Sequence, residues 1–379
     1  MIIQGRKVYI DEELREAQLE IEGGRIKAIL PYGNKPVDAD YGDNWVLPGL
    51  IDVHTHGYNG GSTDRATKEW VREWMDYLPS EGVTSVVPST SSCPESSMFP
   101  SMTVIAEVLE EGCEGAEILG IYSEGPFMCE KYRGAQDLRY LTIPDRKKID
   151  EYIAACKGHL IYVMVAPEML PDMDVIRYLR SLNIAVACGH TGATFEQIRE
   201  AREAGAQSFT HTYNGMRGLH HREPGVPGAS MTDDRYYCEM ICDGKHLHDD
   251  IVRLIIVCKG ADKAVAITDA MEAAGMPDGE YSLGGQPVFV KDGAARLENG
   301  TLAGSVLTMN EALHNLIHRY GADPVSACKM CTSTPAQSIG ESVAGHMVPG
   351  SPAILTRWSR KWEMKSVITD TAESCQADR

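Results

Sequence analysis

The chain has 379 residues, 43% of them apolar and 24% charged, an ordinary globular composition that excludes disordered and fibrous classes. Its net charge of −18 argues against nucleic acid or an anionic membrane as partner, and an anionic ligand would need a local cluster of Arg, Lys or His to overcome that field. No apolar run reaches the ~18 residues that span a bilayer, and Met1–Arg6 lacks a signal peptide's charged-then-apolar layout, so a cytoplasmic protein is expected.

Residues 2–30 alternate apolar and polar positions, as in Gln18-Leu19-Glu20-Ile21, with Glu22-Gly23-Gly24 as a hairpin turn. A short antiparallel sheet of this kind cannot bury its own face. The C-terminal strands expected over Gly350–Leu355 and Met364–Ile368 offer it a partner. Both chain ends are therefore expected in one small β-sandwich domain, residues 1–45 plus 345–379, beside a larger domain of residues 46–344.

Within the larger domain eight apolar strands are expected: Ile51–His54, Ser85–Ser89, Ile118–Glu124, Ile161–Pro167, Ile184–His190, Ser208–His211, Cys238–Asp243 and Val265–Asp269. Helical patterns separate them, among them Lys68–Leu78, Ser97–Glu110, Arg146–Cys156, Val175–Leu182, Phe195–Ala204 and Asp249–Cys258. The alternation predicts an α/β fold, a (β/α)8 barrel, and no Gly-rich nucleotide fingerprint favours an open doubly wound sheet. Residues 281–302 read as a β-hairpin inserted beside the barrel mouth. The eleven cysteines have no framework spacing, and the lone Cys328-x-x-Cys331 lies on a helical pattern and reads as packing.

The strand ends carry the chemistry. They deliver His54 and His56, Ser89, Glu124, Glu168, His190, His211, Asp243 and Asp269 to one rim, where barrel enzymes keep their active sites. Strand alternation puts His54 and His56 on one face with Thr55 turned away. A core needs none of these polar groups, and burying them unpaired is unfavourable. Glu124, His190 and His211 are ligands of the types zinc or iron accepts, and water in an open position there has its pKa lowered to ~7. Asp269 could hold that water and shuttle its proton, and His54 with His56 could form a second site bridged by Glu124.

His54-Thr55-His56, Glu124-Gly125-Pro126-Phe127, Gly189-His190-Thr191, Thr210-His211-Thr212-Tyr213-Asn214-Gly215-Met216, Arg222-Glu223-Pro224-Gly225 and Thr268-Asp269-Ala270 together resemble the N-acetylglucosamine-6-phosphate deacetylases, a branch of the amidohydrolase superfamily. The resemblance implies hydrolysis of a sugar's N-acetyl group to acetate and free amine. It implies Glu124, His190 and His211 as ligands of the principal metal and Asp269 as general base, then acid. With both His54 and His56 kept, one or two divalent metal ions per subunit are open to it, zinc first and iron as the alternative. It assigns the phosphate to Arg222 and His246 with backbone groups at Asn214 and Gly215, and further substrate contacts to Ala135, Gln136, Ala303, Gly304 and Ser305.

Gln136 departs from members that place there a histidine able to polarise the acetyl carbonyl; an amide brings no positive charge. Glu124 stands where many relatives carry a carboxylated lysine. A homodimer is implied, in which a basic loop can reach the neighbouring subunit's phosphosugar. The galactosamine 6-phosphate epimer shares every motif and is the alternative substrate; deamination or cyclic-amide hydrolysis is a more distant one. His159, His314, His318 and His346 read as surface or packing residues, and His248 has no firm role.

Overall fold

Alternation places Ile2–Ile10, Glu13–Glu22 and Arg25–Pro31 in an antiparallel meander, and Gly23 and Gly24, at φ 59° and 71°, make the tight turn between the last two. The structure is a computed structural model that describes residues 1–369 and 373–375, so the remainder of the expected 345–379 segment lies outside the described residues. Trp45–Pro48 pairs in parallel with Ile2–Ile10 on one side and antiparallel with Leu355–Trp358 on the other. Met364–Ile368 and Glu373–Cys375 extend the same eight-stranded sheet.

The strand expected over Gly350–Leu355 begins only at Leu355. The residues before it instead bridge the opposite edge of the sheet: Gly350 donates its N–H to the Ile26 carbonyl (2.7 Å) and Ile26 donates to that of Ser351 (2.9 Å). Pro352 has no N–H to continue a ladder, so the segment touches the Arg25–Pro31 edge and then enters the sheet as Leu355–Trp358, between Trp45–Pro48 and Met364–Ile368.

All eight expected barrel strands form: Leu50–Thr55, Val83–Thr90, Ile121–Ser123 with the offset piece Glu117–Ile118, Leu160–Val165, Ala185–Cys188, Ser208–Phe209, Tyr237–Ile241 and Ala264–Ile267. Each pairs in parallel with the next. The last meets the first through the Asp269 N–H, which donates to the His54 carbonyl at 2.9 Å. Helices follow the strands, including Lys68–Tyr77, Arg146–Ala155 and Phe195–Ala204, and Thr67, Asp145 and Thr194 cap their first turns. Val53, Val86, Val163, Val186 and Ile267 are among the fully buried side chains that fill the core.

The insertion has three strands rather than two, Gly279–Leu283, Gln286–Lys291 and Ala294–Arg296, because Asp292-Gly293 supplies a second turn with φ 52° and 66°. Its apolar face, Leu283, Val288 and Val290, packs on Ala135, Met271 and Ala303 beside the barrel mouth. Cys328 and Cys331 are buried and unpaired, and burial pushes the Cys328 thiol up to about 12. Among the described residues no helix is long and apolar enough to cross a membrane.

Glu81, closing the turn Leu78–Glu81, is buried, and its Oε1 has no hydrogen-bond partner. Burial pushes its carboxyl up to about 8. The folded chain therefore keeps a proton that an unfolded chain releases near ~4.3, and stability falls as pH rises across that window. Glu81→Gln is expected to leave the melting temperature unchanged at pH 5 and to raise it by on the order of 5 °C at pH 9. Thermal melts at the two pH values check this, and equal shifts at both would show that the proton is not retained.

Candidate active site

The strand ends bring His54, His56, Glu124, His190, His211 and Asp269 together, all buried. They form two groups, His54–His56–Asp269 and Glu124–His190–His211, each with one ligand-type atom per residue within 4.8 Å of the others. His190, His211 and Asp269 have φ of 45°, 30° and 50°. Left-handed backbone is unfavourable for side chains of this kind, and here it lets the chain leave each strand while the side chain turns inward. Gly215, at φ 58°, is required nearby: a Cβ there would lie 2.8 Å from His190 Nδ1 and 2.9 Å from the Tyr132 carbonyl oxygen.

In the first group, Glu124 Oε1 lies 3.1 Å from His190 Nε2 and 2.9 Å from His211 Nε2, with the two nitrogens 3.1 Å apart. His190 Nδ1 faces the Tyr132 carbonyl at 2.8 Å. A carbonyl only accepts, so Nδ1 carries a proton, and Nε2 of the ring faces a carboxylate oxygen. In the second group, His56 Nδ1 likewise donates to the Ser89 carbonyl at 2.9 Å, leaving Nε2 3.2 Å from Asp269 Oδ1. His54 Nδ1 meets Glu239 Oε2 at 3.0 Å, and its Nε2 lies 3.6 Å from Asp269 Oδ1. An imidazole nitrogen this close to a carboxylate oxygen requires a positive charge between them, a proton or a metal ion. The donor set, imidazole nitrogens and carboxylate oxygens at this spacing, fits a divalent cation in each group.

The charges agree. Burial opposes ionisation of His54, but Asp269, Glu239 and Glu124 together lift its pKa to about 10. Burial pushes the Glu124 carboxyl up, yet His190, His211 and His56 outweigh it and hold it well below the usual carboxylate range. For Asp269 burial is likewise outweighed by His54 and His56, and the carboxyl is lowered. Glu124 also stands between the groups, with Oε2 3.4 Å from His56 Nε2 and Oε1 3.7 Å from His54 Nε2.

A cavity of ≈ 160 Å³ opens above this floor. Ala135, Gln136, Asn214, Gly215, His246 and Gly304 line it, and the insertion contributes Leu283. His246 is held by Asp243, which accepts from its backbone N–H at 2.9 Å and lies 2.7 Å from its Nδ1, so Nε2 is left for a ligand. Gln136 donates its amide to Glu124 Oε2 at 2.7 Å and accepts from the Ser92 N–H at 2.7 Å. It buttresses Glu124 in this arrangement.

The fold and this constellation match one family. A model of the Amidohydrolase family covers residues 45–376. The chain belongs to the amidohydrolase family.

Relatives of this amidohydrolase are close over nearly their full length. It is 37% identical over 355 residues to an N-acetylgalactosamine-6-phosphate deacetylase of Escherichia coli O157:H7, covering 93% of each chain. It is 39% identical over 363 residues to an N-acetylglucosamine-6-phosphate deacetylase of Vibrio furnissii, covering 93% of this chain and 90% of that one. A mutant N-acetyl-D-glucosamine-6-phosphate deacetylase of Mycobacterium smegmatis, solved in complex with N-acetyl-D-glucosamine-6-phosphate, superposes with a TM-score of 0.92 at 30% identity and 97% coverage of both chains.

Three expected substrate residues of the amidohydrolase do not line the cavity. Ala303 is buried under the insertion. Ser305 donates to the backbone around Asp269: its N–H to the Asp269 carbonyl at 2.7 Å and its hydroxyl to that of Thr268 at 2.6 Å. Arg222 is exposed on its loop, with a guanidinium nitrogen 2.7 Å from His221 Nε2. His248 is an exposed helix cap, and His314 and His318 lie tilted against each other on a solvent face. Glu239 was not visible as a site residue; its one signal is an acid in the apolar run Cys238-Glu239-Met240-Ile241-Cys242.

Proposed function

We propose that this amidohydrolase removes the N-acetyl group from N-acetyl-D-glucosamine 6-phosphate, giving acetate and D-glucosamine 6-phosphate. What carries the reading is the pair of buried histidine–carboxylate groups at the floor of one cavity, on a fold that superposes on a deacetylase solved with that sugar. One or two divalent ions per chain suit the two groups; two imidazoles and a carboxylate serve zinc, placed first here, and iron as the alternative.

A cation held by these residues supplies the positive charge that acidifies water and polarises the acetyl carbonyl. The chain's own residues do the rest. Asp269, held ionised by His54 and His56, takes the proton of the attacking water at its carboxylate and returns it to the departing nitrogen. Gln136 keeps Glu124 oriented with one amide N–H, and as a neutral side chain it brings no positive charge to the carbonyl. His246, fixed by Asp243, and the backbone at Asn214 and Gly215 face the sugar and its phosphate.

Arg222 lies off its own chain's cavity, which supports a homodimer in which it grips the phosphate bound to the neighbouring subunit, its planar guanidinium making a two-point fork. The ten unpaired cysteines among the described residues support a reducing, cytoplasmic setting. The 37% identity to an N-acetylgalactosamine-6-phosphate deacetylase favours the galacto epimer as the second reading.

The test is acetate release from both epimers by wild type, by Arg222→Ala and by chelator-stripped protein. Expected are a higher kcat/KM for the gluco epimer, a KM raised roughly 10- to 100-fold in Arg222→Ala, and no turnover until metal is restored. Equal or better turnover of the galacto epimer would move the assignment to that sugar. Undiminished activity of stripped protein would end the hydrolytic mechanism, and an Arg222→Ala enzyme with unchanged KM would point to an amide substrate without phosphate.

A further inference from the structure

Glu239 lies in the seventh barrel strand, Tyr237–Ile241, paired across from Val265, and is fully buried. Among the described residues no lysine or arginine forms an ion pair with it; its partner is His54. An isolated carboxylate in such a place is unfavourable unless its oxygens are satisfied. They are, by three donors from three other strand segments. Oε2 lies 3.0 Å from His54 Nδ1, at the end of the first strand, and accepts the His211 backbone N–H at 3.1 Å, just past the sixth. Oε1 accepts the Tyr162 hydroxyl at 2.8 Å, from the fourth.

The two bonds on Oε2 reach one histidine from each group. By accepting the His54 Nδ1–H, Glu239 leaves Nε2, which faces Asp269 and Glu124, as the nitrogen able to bind a metal. By accepting the His211 N–H, it pins that residue's backbone at φ 30°, a conformation that needs outside support. Tyr122 packs edge-on against the His54 ring at 5.0 Å and stacks on Tyr162 at 4.3 Å, so ring and carboxylate are held by the same wall.

We propose that Glu239 is a positioning residue that fixes the His54 tautomer and the His211 backbone together, so that the two groups bind metal as one preorganised unit. This rests on the metal-binding part of the reading above and is independent of which sugar is cleaved. A carboxylate behind a ligating imidazole sets its orientation and basicity, and loss of such a partner commonly weakens metal binding 10- to 100-fold.

The experiment measures zinc affinity of the full-length protein by competition with a chromophoric chelator, for wild type, Glu239→Gln and Tyr162→Phe. Glu239→Gln keeps shape and loses charge. It is expected to bind zinc roughly 10- to 100-fold more weakly, to lose kcat, and to keep KM for the phosphosugar within about twofold, because no group that touches the sugar has moved. Tyr162→Phe, which leaves Oε2 untouched, is expected to bind zinc within about threefold of wild type. Wild-type zinc affinity in Glu239→Gln, with only a lowered melting temperature, would reduce Glu239 to a structural role and overturn the proposal.

If Glu239→Gln does not fold, nitrogen-15 histidine spectra of the wild-type protein decide. In zinc-loaded protein the His54 signal, assigned by its loss in His54→Ala, should report a proton at Nδ1 with Nε2 unprotonated, and a zinc-loaded ring protonated at Nε2 instead would overturn the proposal. Should wild type release no acetate from either sugar, the deacetylase reading fails while the zinc and tautomer measurements still stand.

Discussion

Asp269→Asn is expected to lower kcat by about 10³-fold while changing KM little. The amide has the shape of the carboxyl and the same backbone anchors, the bonds to the His54 carbonyl and from the Ser305 N–H. What it loses is the ability to take a proton and give it back. In the wild type, His54 and His56 keep this carboxyl ionised despite burial, so it is ready to accept at neutral pH. The loss should therefore fall on the chemical step. Steady-state acetate release checks it, and a variant that keeps more than a tenth of wild-type kcat would remove Asp269 from the proton path.

Glu124→Gln is expected to be as damaging by a different route. Glu124 faces three imidazoles, His211 at 2.9 Å, His190 at 3.1 Å and His56 at 3.4 Å, and is the single carboxylate of its group. Replacing it removes the negative charge that the cluster is built around and sets an amide against the Gln136 amide that now donates to it. Metal affinity should fall by more than the ~100-fold typical of losing an outer partner, and activity should fall with it. Elemental analysis after dialysis, alongside acetate release at saturating zinc, separates the two effects. A variant that retains wild-type metal content would show that His190 and His211 suffice without the acid.

Much of this arrangement is legible in the sequence, for a physical reason. A parallel barrel buries both faces of its strands, so strands read as apolar runs, and a polar residue at a run's end must face the mouth. His54, His56, Glu124, His190, His211 and Asp269 all stand at such ends, and they meet. Glu239 escaped because it lies inside its run, where pattern cannot tell a tolerated polar residue from one that supports others. The bonds that explain it come from residues 28, 77 and 185 positions away, and no local signal carries them.

Gln136 shows a related limit: residue type suggests a donor for the substrate, while the bond its amide also makes to Glu124 has no signal in the sequence. Arg222 could be recognised as a basic loop residue, yet a single chain's sequence does not say into which subunit's cavity a loop reaches. The insertion and the strand at Leu355 differ from expectation where a glycine turn or a proline decided the local path, and both lie outside the catalytic floor.

The strand Trp45–Pro48 sits between Ile2–Ile10 and Leu355–Trp358, so one of its neighbours is made at the start of synthesis and the other some 308 residues later. A ribosome must release almost the whole polypeptide before that flank is covered, and until then a row of backbone N–H and C=O groups waits unpaired. The last strands are thus a clasp on the finished molecule. A message cut short would yield chains with a complete set of catalytic side chains but an open, adhesive seam, which the cell would meet as aggregation rather than as weak enzyme.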